Sequence, residues 1–316
     1  MHYCIGDVHG CFDELMAIVD KIEKKDPDPH IILMGDLIDQ GPKIYETLSF
    51  AMKNVKPDGE FMCLRGNHEE EVLNWYRKYL EWQNESVHSL YPPVSKYDFY
   101  TKMKNENGMT EEKLDEVVNF FHSLPYSYEL SIPIPLHNGH RRIHYYLAHA
   151  WYSVSAGKDS ERQRWINLYG RSCEGISDSE MKKYELENPD EEPVVVCGHT
   201  PTVSAVFISS KTDVEGSNRP GLIGYRPHAI FTDGGCFHYG EVLQFPCMLC
   251  GICLETLEEF YPCSVEERMG RLKNSLEETS ESIEYYKLYK EEYLSTPNPY
   301  RQELLSLLGN HQGDVK

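Results

Sequence analysis

Between residues 2 and 82, short apolar runs alternate three times with segments of helical periodicity, and each run closes on a glycine. HYCIG precedes FDELMAIVDKIEK, in which Leu15, Ile18, Val19 and Ile22 share one helical face. HIILMG precedes KIYETLSFAMKNV, where Ile44, Leu48 and Met52 are spaced likewise, and FMCLRG leads into EEEVLNWYRKYLEW. This β-α-β-α-β-α pattern implies parallel strands joined by right-handed crossovers. Ligand sites in such sheets gather at the carboxyl ends of the strands, so the residues just after each run are the ones to inspect.

Four signatures stand at those exits or at similar ones further on: GDVHG (6–10), GDLIDQG (35–41), GNHEE (66–70), and His149 of YYLAHAW together with GHTP (198–201). Glycine lets the backbone turn sharply, while Asp, Asn and His offer the hard oxygen and borderline nitrogen donors that a divalent cation takes. Asp7 and His9 are two residues apart, so both can point to one side of an extended strand exit. Any one of these motifs alone is weak. Several in order, each closing an apolar run, are a poor fit to coincidence.

The rest of the chain reads as elements around this core. Residues 83–124 are polar and helical, with a helix expected from Thr110 to His122, and form an insertion over the sheet edge. SYELSI and RRIHYYLAHA flank a Pro, Asn and Gly turn and suggest a hairpin. A loop or helix carrying Trp165 follows, then an acidic segment (176–193), then PVVVCGHT, VSAVFIS, HAIFTDG and EVLQFP as further strands. Ser264 and Glu267 have capping-box spacing and open an acidic helix expected to reach about Leu294. The simplest partition is a catalytic domain over 1–255 and an acidic helical extension over 256–316.

Composition narrows the partners. The formal charge is −20, which disfavours nucleic acid because duplex binding works through neutralised phosphates. Half of that excess lies in 176–193 and 256–316, so a phosphate delivered to a local cation site is still compatible with it. No apolar run approaches the ~20 residues of a membrane span and no leader pattern opens the chain, so a cytoplasmic protein that engages no membrane is expected. Its 10 cysteines are then read as reduced thiols. Zinc at Cys247, Cys250 and Cys253 is disfavoured, since strand alternation turns Cys250 away from the other two.

The ordered signatures, with TDGGC (232–236), resemble the calcineurin-like metallophosphoesterases. Within them they resemble the phosphoprotein phosphatase branch, with its bacterial and phage members and the symmetrical diadenosine tetraphosphatases. The resemblance implies an α/β fold, a β-sandwich of mixed sheets flanked by helices, with a dinuclear metal centre at strand ends. It implies Asp7, His9 and Asp36 as ligands of one ion, with Asp36 bridging to a second ion held by Asn67, His149 and His199. Two divalent ions, manganese first and iron or zinc otherwise, would lower the pKa of a shared water and neutralise phosphate oxygens, so that a metal-bridged hydroxide attacks phosphorus. His68 is placed to protonate the leaving oxygen, with Asp39 orienting it, and Glu69 is read as structural, in a buried ion pair behind the loop.

Two departures stand out. Where the family has a phosphate-clamping Arg in its second signature this chain has Gln40, and the second such position falls on Asn167 if Trp165-Ile166 aligns. Gln40 and Asn67 can still contact phosphate, and Arg164 or Arg171 are candidate cations, with Arg162, Arg141 and Arg142 behind them. The expected substrate is a phosphomonoester, with protein phosphoserine or phosphothreonine first. A dinucleoside tetraphosphate is the alternative, for which Trp82, Tyr91, Tyr97 and Tyr100 of the insertion would have to supply a stacking surface. A third reading is a metal-binding scaffold of low activity, with Tyr285, Tyr286, Tyr289 and Tyr293 as a partner stripe. Those tyrosines are also read as packing on the body. Partners are therefore a phosphorylated protein or a small phosphoester.

Overall fold

The computed structural model describes residues 1–57, 59–84, 92–94, 98–134, 141–154, 160–172, 174–204, 219–238, 245–269, 287, 289–295 and 297–309. The N-terminal alternation forms as read: β1 (His2–Ile5), α1 (Phe12–Lys25), β2 (His30–Leu33), α2 (Ile44–Asn54), β3 (Phe61–Cys63) and α3 (Asn67–Asn84). In α1, Leu15, Ile18, Val19 and Ile22 are all buried, and Asp13 and Glu14 in the first turn with Lys24 and Lys25 in the last complement the helix dipole. The insertion holds α4 (Phe99–Asn107) and α5 (Glu111–Ser123), the latter capped by the Thr110 side chain, which accepts from Lys113 N.

The hairpin is β4 (Ser127–Pro133) against β5 (Arg142–Ala148), with Ser127 opposite Ala148. Trp165 lies on α6 (Glu161–Tyr169), and the acidic segment holds α7 (Asp178–Glu187), which opens on a capping box of Ser177 and Glu180. Then come β6 (Glu191–Cys197), β7 (Gly224–Arg226), β8 (Ala229–Phe231), β9 (Gly251–Cys253), β10 (Glu259–Phe260) and α8 (Pro299–Leu307).

Among the described residues the strands form two sheets, ordered β10-β9-β1-β2-β3 and β4-β5-β6-β8-β7. β1, β2 and β3 pair in parallel, while β9 pairs antiparallel with β1, Cys4 standing opposite Ile252. Alternation then divides each strand between two cores. Cys4, Ile32, Ile143, Tyr145, Leu147, Val194, Val196 and Ile230 fill the space between the sheets. Tyr3, Ile5, Ile31 and Leu33 face outward onto α1, α2 and α5, and Tyr146, Val195, Cys197 and Phe231 face Met181 and Tyr184 of α7. Each fully buried Leu or Ile contributes about 1.5–3 kcal/mol, so both faces of each sheet hold the sandwich together.

Cys247, Cys250 and Cys253 pack into three different clusters, with Cys250 between the sheets and Cys253 on the helix side, as alternation requires. The strand there is shorter than LQFPCMLCGICLE suggests, covering Gly251–Cys253. VSAVFIS and EVLQFP fall mostly outside the described residues, as do 270–286 of the acidic helix; its start is described, with Ser264 Oγ accepting from Glu267 N at 3.1 Å. Leu304, Leu305 and Leu308 of the C-terminal segment pack against the inter-sheet core. Tyr289 is buried beside Phe245 and donates to Pro220 O at 2.8 Å, so this member of the tyrosine stripe packs on the body. Tyr285 and Tyr286 lie outside the described residues. No described helix is long and apolar enough to cross a membrane.

Candidate metal centre

The exits of β1, β2 and β6 converge with the first turn of α3 and the end of β5. Asp7, His9, Asp36, Asn67 and His149 are all buried, and His199 is partly so. The backbone there is held in a conformation that ordinary residues avoid: His9, Asp36, Asp39, Gln40 and His199 all have positive φ, between 44° and 68°. Each such residue costs on the order of 1–3 kcal/mol, a strain that persists only where the surroundings over-determine it. Glycine is needed beside them for close approach. A methyl group at Gly198 would stand 1.9 Å from Asp7 Oδ1, and one at Gly66 2.1 Å from Asp36 Oδ1.

Asp36 is the hub. His9 Nε2 lies 3.5 Å, His149 Nε2 3.4 Å and His68 Nε2 3.7 Å from its Oδ2. His9 Nδ1 is 2.9 Å from Ile38 O and His149 Nδ1 3.0 Å from Met34 O. A carbonyl can only accept, so both Nδ1 atoms carry the proton and both Nε2 lone pairs face the carboxylate. His149 Nε2 also faces Asn67 Oδ1 at 2.9 Å and His199 Nδ1 at 3.2 Å. Acceptors turned toward acceptors repel one another unless a cation stands among them.

Among the described residues two clusters of donors lie close enough to share an ion: His9, Asp36 and His68, and Asp36, His149 and His199. Asp36 is common to both. Asp7 interacts electrostatically with Asp36; its Oδ2 accepts from His199 N at 2.8 Å, while its Oδ1 is buried with no hydrogen-bond partner among the described residues. That orphaned oxygen fits a metal ligand, as does the practice of metal-binding histidines of donating their other N–H to a carbonyl.

The electrostatics agree. Burial lowers the His9 imidazole to about 4 and the His199 imidazole to about 3, and it lowers His149 as well, so all three are neutral and keep their lone pairs. Asp36 moves the other way: burial raises its carboxyl, but the attraction of His149, His68 and His9 whenever a ring is protonated, with the His68 N–H bond, more than offsets that and holds it lowered. Burial, Asp233 and Asp36 together push Asp7 well up. Asp233, in TDGGC, is itself raised to about 7, chiefly by burial. This carboxylate behind Asp7 was not singled out from sequence, although its motif was; its Oδ1 accepts from Gly235 N at 2.9 Å.

His68 and Asp39 are brought together. His68 Nδ1 is 2.8 Å from Asp39 Oδ2, and its backbone N–H donates to Asp36 Oδ1 at 3.0 Å. Burial alone lowers the imidazole, but Asp36 and Asp39 outweigh it and raise His68, the reverse of its neighbours. Glu69 makes no ion pair among the described residues, in place of the one expected. Its carboxylate accepts from three backbone N–H groups, Asp36 at 3.0 Å, Leu37 at 2.8 Å and Gly66 at 2.9 Å, and so ties the second signature to the third.

The candidate phosphate contacts separate. Gln40 is exposed at the rim of the centre. Asn167 is buried in α6, with its side chain against that of Gln163 at 2.6 Å, so it packs the helix instead of facing phosphate. Arg164 lies over the Tyr126 ring at 6.0 Å, beside Arg65. Arg141 pairs with Glu192. Arg171 is nearest the centre: it donates to Thr200 Oγ1 at 3.2 Å, next to His199, and its charge helps lower His149 and His199. Trp82 stacks on Tyr79 at 6.0 Å and Tyr100 packs at 5.6 Å from Trp75, while Tyr91 and Tyr97 are outside the described residues.

Known proteins bear on this arrangement. A symmetrical bis(5'-nucleosyl)-tetraphosphatase of Neisseria meningitidis is 39% identical over 72 residues, which is 23% of this chain and 25% of that protein. A protein of the same name from Psychromonas ingrahamii is 39% identical over 71 residues, 22% and 25% of the two chains. The chain thus spans about a quarter of the length of the curated relatives it matches. The metallophosphoesterase structure from Sphaerobacter thermophilus overlaps 91% of this chain and 98% of its own at 14% identity and a TM-score of 0.41. The family model for calcineurin-like phosphoesterases matches residues 3–231, a span that contains the whole cluster around Asp36. With two mixed sheets flanked by helices and metal-competent side chains at the strand exits, the chain belongs to the calcineurin-like phosphoesterase family.

Proposed function

We propose that this protein hydrolyses phosphoesters at a two-metal centre built on Asp36. The observation that carries this reading is the convergence of the His9, His149 and His68 nitrogens on Asp36 Oδ2, at 3.4–3.7 Å, with the Asp7 Oδ1 left without a partner among the described residues. Asp7, His9 and Asp36 would hold one ion, and Asp36, Asn67, His149 and His199 the other, with manganese the expected metal. When bound, the ions would activate water and neutralise the phosphate oxygens. His68, raised by Asp36 and Asp39, keeps a proton for the leaving oxygen. Asp39 holds the imidazole with Nδ1 bonded, so that Nε2 faces the reacting group. Arg171 and Thr200 supply charge and a hydroxyl for the phosphate oxygens, and Gln40 offers an uncharged donor at the rim.

For the substrate, the printed names of the curated relatives support a dinucleoside tetraphosphate. A second reading, protein phosphoserine or phosphothreonine, is favoured by the order and spacing of the signatures. The test is a metal-depleted sample assayed with diadenosine tetraphosphate, a phosphoserine peptide and p-nitrophenyl phosphate in parallel, before and after adding manganese. Metal-dependent turnover of at least one is expected, and its absence with all three would sink both readings.

A further inference from the structure

Beside the centre lies a cavity of about 430 Å³ whose lining includes Cys11, Phe12, Gln40, Lys43, Lys102 and Phe237. It is continuous with the catalytic side chains. The Phe237 ring stands edge-on to His9 at 4.7 Å, His9 stands edge-on to His68 at 4.7 Å, and Gln40 directly follows Asp39. A group leaving from the oxygen protonated by His68 would therefore pass over His9 and Phe237 into this space.

Its chemistry is uneven. Phe12 and Phe237 are half-buried rings that turn apolar surface to the cavity. Of its charged residues, Lys43 is bonded to both Asp13 oxygens at 2.8 Å and Glu14 is held by Arg268, so these charges are internally matched. The Lys102 ammonium, brought in by α4, has no partner among the described residues. The volume falls in the ~300–1,000 Å³ range of small-molecule sites, far more than a serine side chain would fill.

We propose that this cavity takes the leaving half of the substrate and that this half is a nucleoside phosphate, with its flat base against Phe12 and Phe237 and its phosphate on Lys102. The inference rests on the reading of the centre as a phosphoesterase acting on dinucleoside polyphosphates. It adds the residues that select the leaving group. An aromatic base has the π-face that such rings stack on, and a phosphate is the anion that an unmatched ammonium takes.

The test is equilibrium binding of ADP to the metal-free protein by calorimetry, which needs no turnover. Lys102→Ala and Phe12→Leu are each expected to weaken ADP by about tenfold, as loss of a charge-assisted contact or a stacked ring predicts. Lys102 is half-buried with its ammonium unpartnered among the described residues, and Leu keeps the apolar packing of Phe12, so neither change removes a contact that the fold relies on. No ADP binding, unchanged affinity in both variants, or displacement of ADP by a phosphoserine peptide at equal concentration would overturn the proposal. Turnover of diadenosine tetraphosphate with ADP affinity indifferent to both changes would remove the pocket and leave the activity. Intact, Lys102-dependent ADP binding without turnover of any substrate would count against the activity alone.

Discussion

His68 Nδ1 lies 2.8 Å from Asp39 Oδ2, while the opposite nitrogen of the same ring faces Asp36 Oδ2 at 3.7 Å. The ring is thus held between an orienting carboxylate and the hub of the candidate metal centre. His68→Asn is expected to lower kcat by about 10²–10⁴, the usual contribution of a proton donor. Asp39→Asn, acting only through the ring, should cost about 10–100-fold. Metal content, measured on the same samples, should hold at the wild-type value in both. If His68→Asn loses an ion along with its activity, the residue is a ligand and not the acid.

Glu69 ties two signature loops through three backbone N–H groups and is fully buried. Glu69→Gln keeps the shape but turns an amide NH₂ toward donors, which should destabilise the metal-free protein by about 1–3 kcal/mol in urea unfolding. A variant as stable as wild type would show that the loops are held by something else.

Gly198 sits where a Cβ would meet Asp7 Oδ1 at 1.9 Å. Gly198→Ala must push Asp7 away or shift the exit of β6, so metal affinity should fall by more than tenfold while the sandwich, whose core lies elsewhere, still folds. Calorimetric titration with manganese, beside a circular dichroism melt, separates the two effects. Unchanged affinity would place Asp7 outside the ligand set.

Away from the centre, Glu259 is bound by Arg219 at 2.7 and 2.9 Å and by Tyr225 and Tyr261 at 2.9 and 2.6 Å. Burial pushes this carboxyl up, but Arg219 more than offsets it, so the folded group titrates below its ordinary 4.5. A depressed folded pKa stabilises above the unfolded value, and that stability is lost as pH falls through the folded value. Glu259→Gln leaves the half-buried Arg219 without its carboxylate, at a cost of about 1.5–3 kcal/mol near neutral pH. The gap between wild type and variant should stay constant from pH 7 to about 5 and shrink below about 4.5. A gap that does not change on acidification would contradict the assignment.

Much of this was legible in the chain itself, for reasons tied to particular residues. The apolar runs and the face of Leu15, Ile18, Val19 and Ile22 specify parallel strands and an amphipathic helix locally, and glycine at each exit marks where the candidate ligands emerge. What could not be read depends on contacts between residues far apart in sequence. The pairing of β9 with β1 joins residues about 250 positions apart, and no local pattern announces it. Asp233 gains its character from burial beside Asp7, and Asn167 turns inward because Gln163, one helical turn earlier, is there to bond it. Glu69 accepts from backbone amides, which carry no sequence signature, where a buried ion pair is expected and none occurs among the described residues.

The central claim is a two-metal centre hinged on Asp36, and counting bound metal tests it most directly. Metal-stripped protein, titrated with manganese and freed of excess, should retain two ions per chain by elemental analysis, with Asp36→Asn losing both and His199→Ala losing one. A wild-type chain that retains one ion or none, or an Asp36→Asn chain that still holds two, would contradict the account.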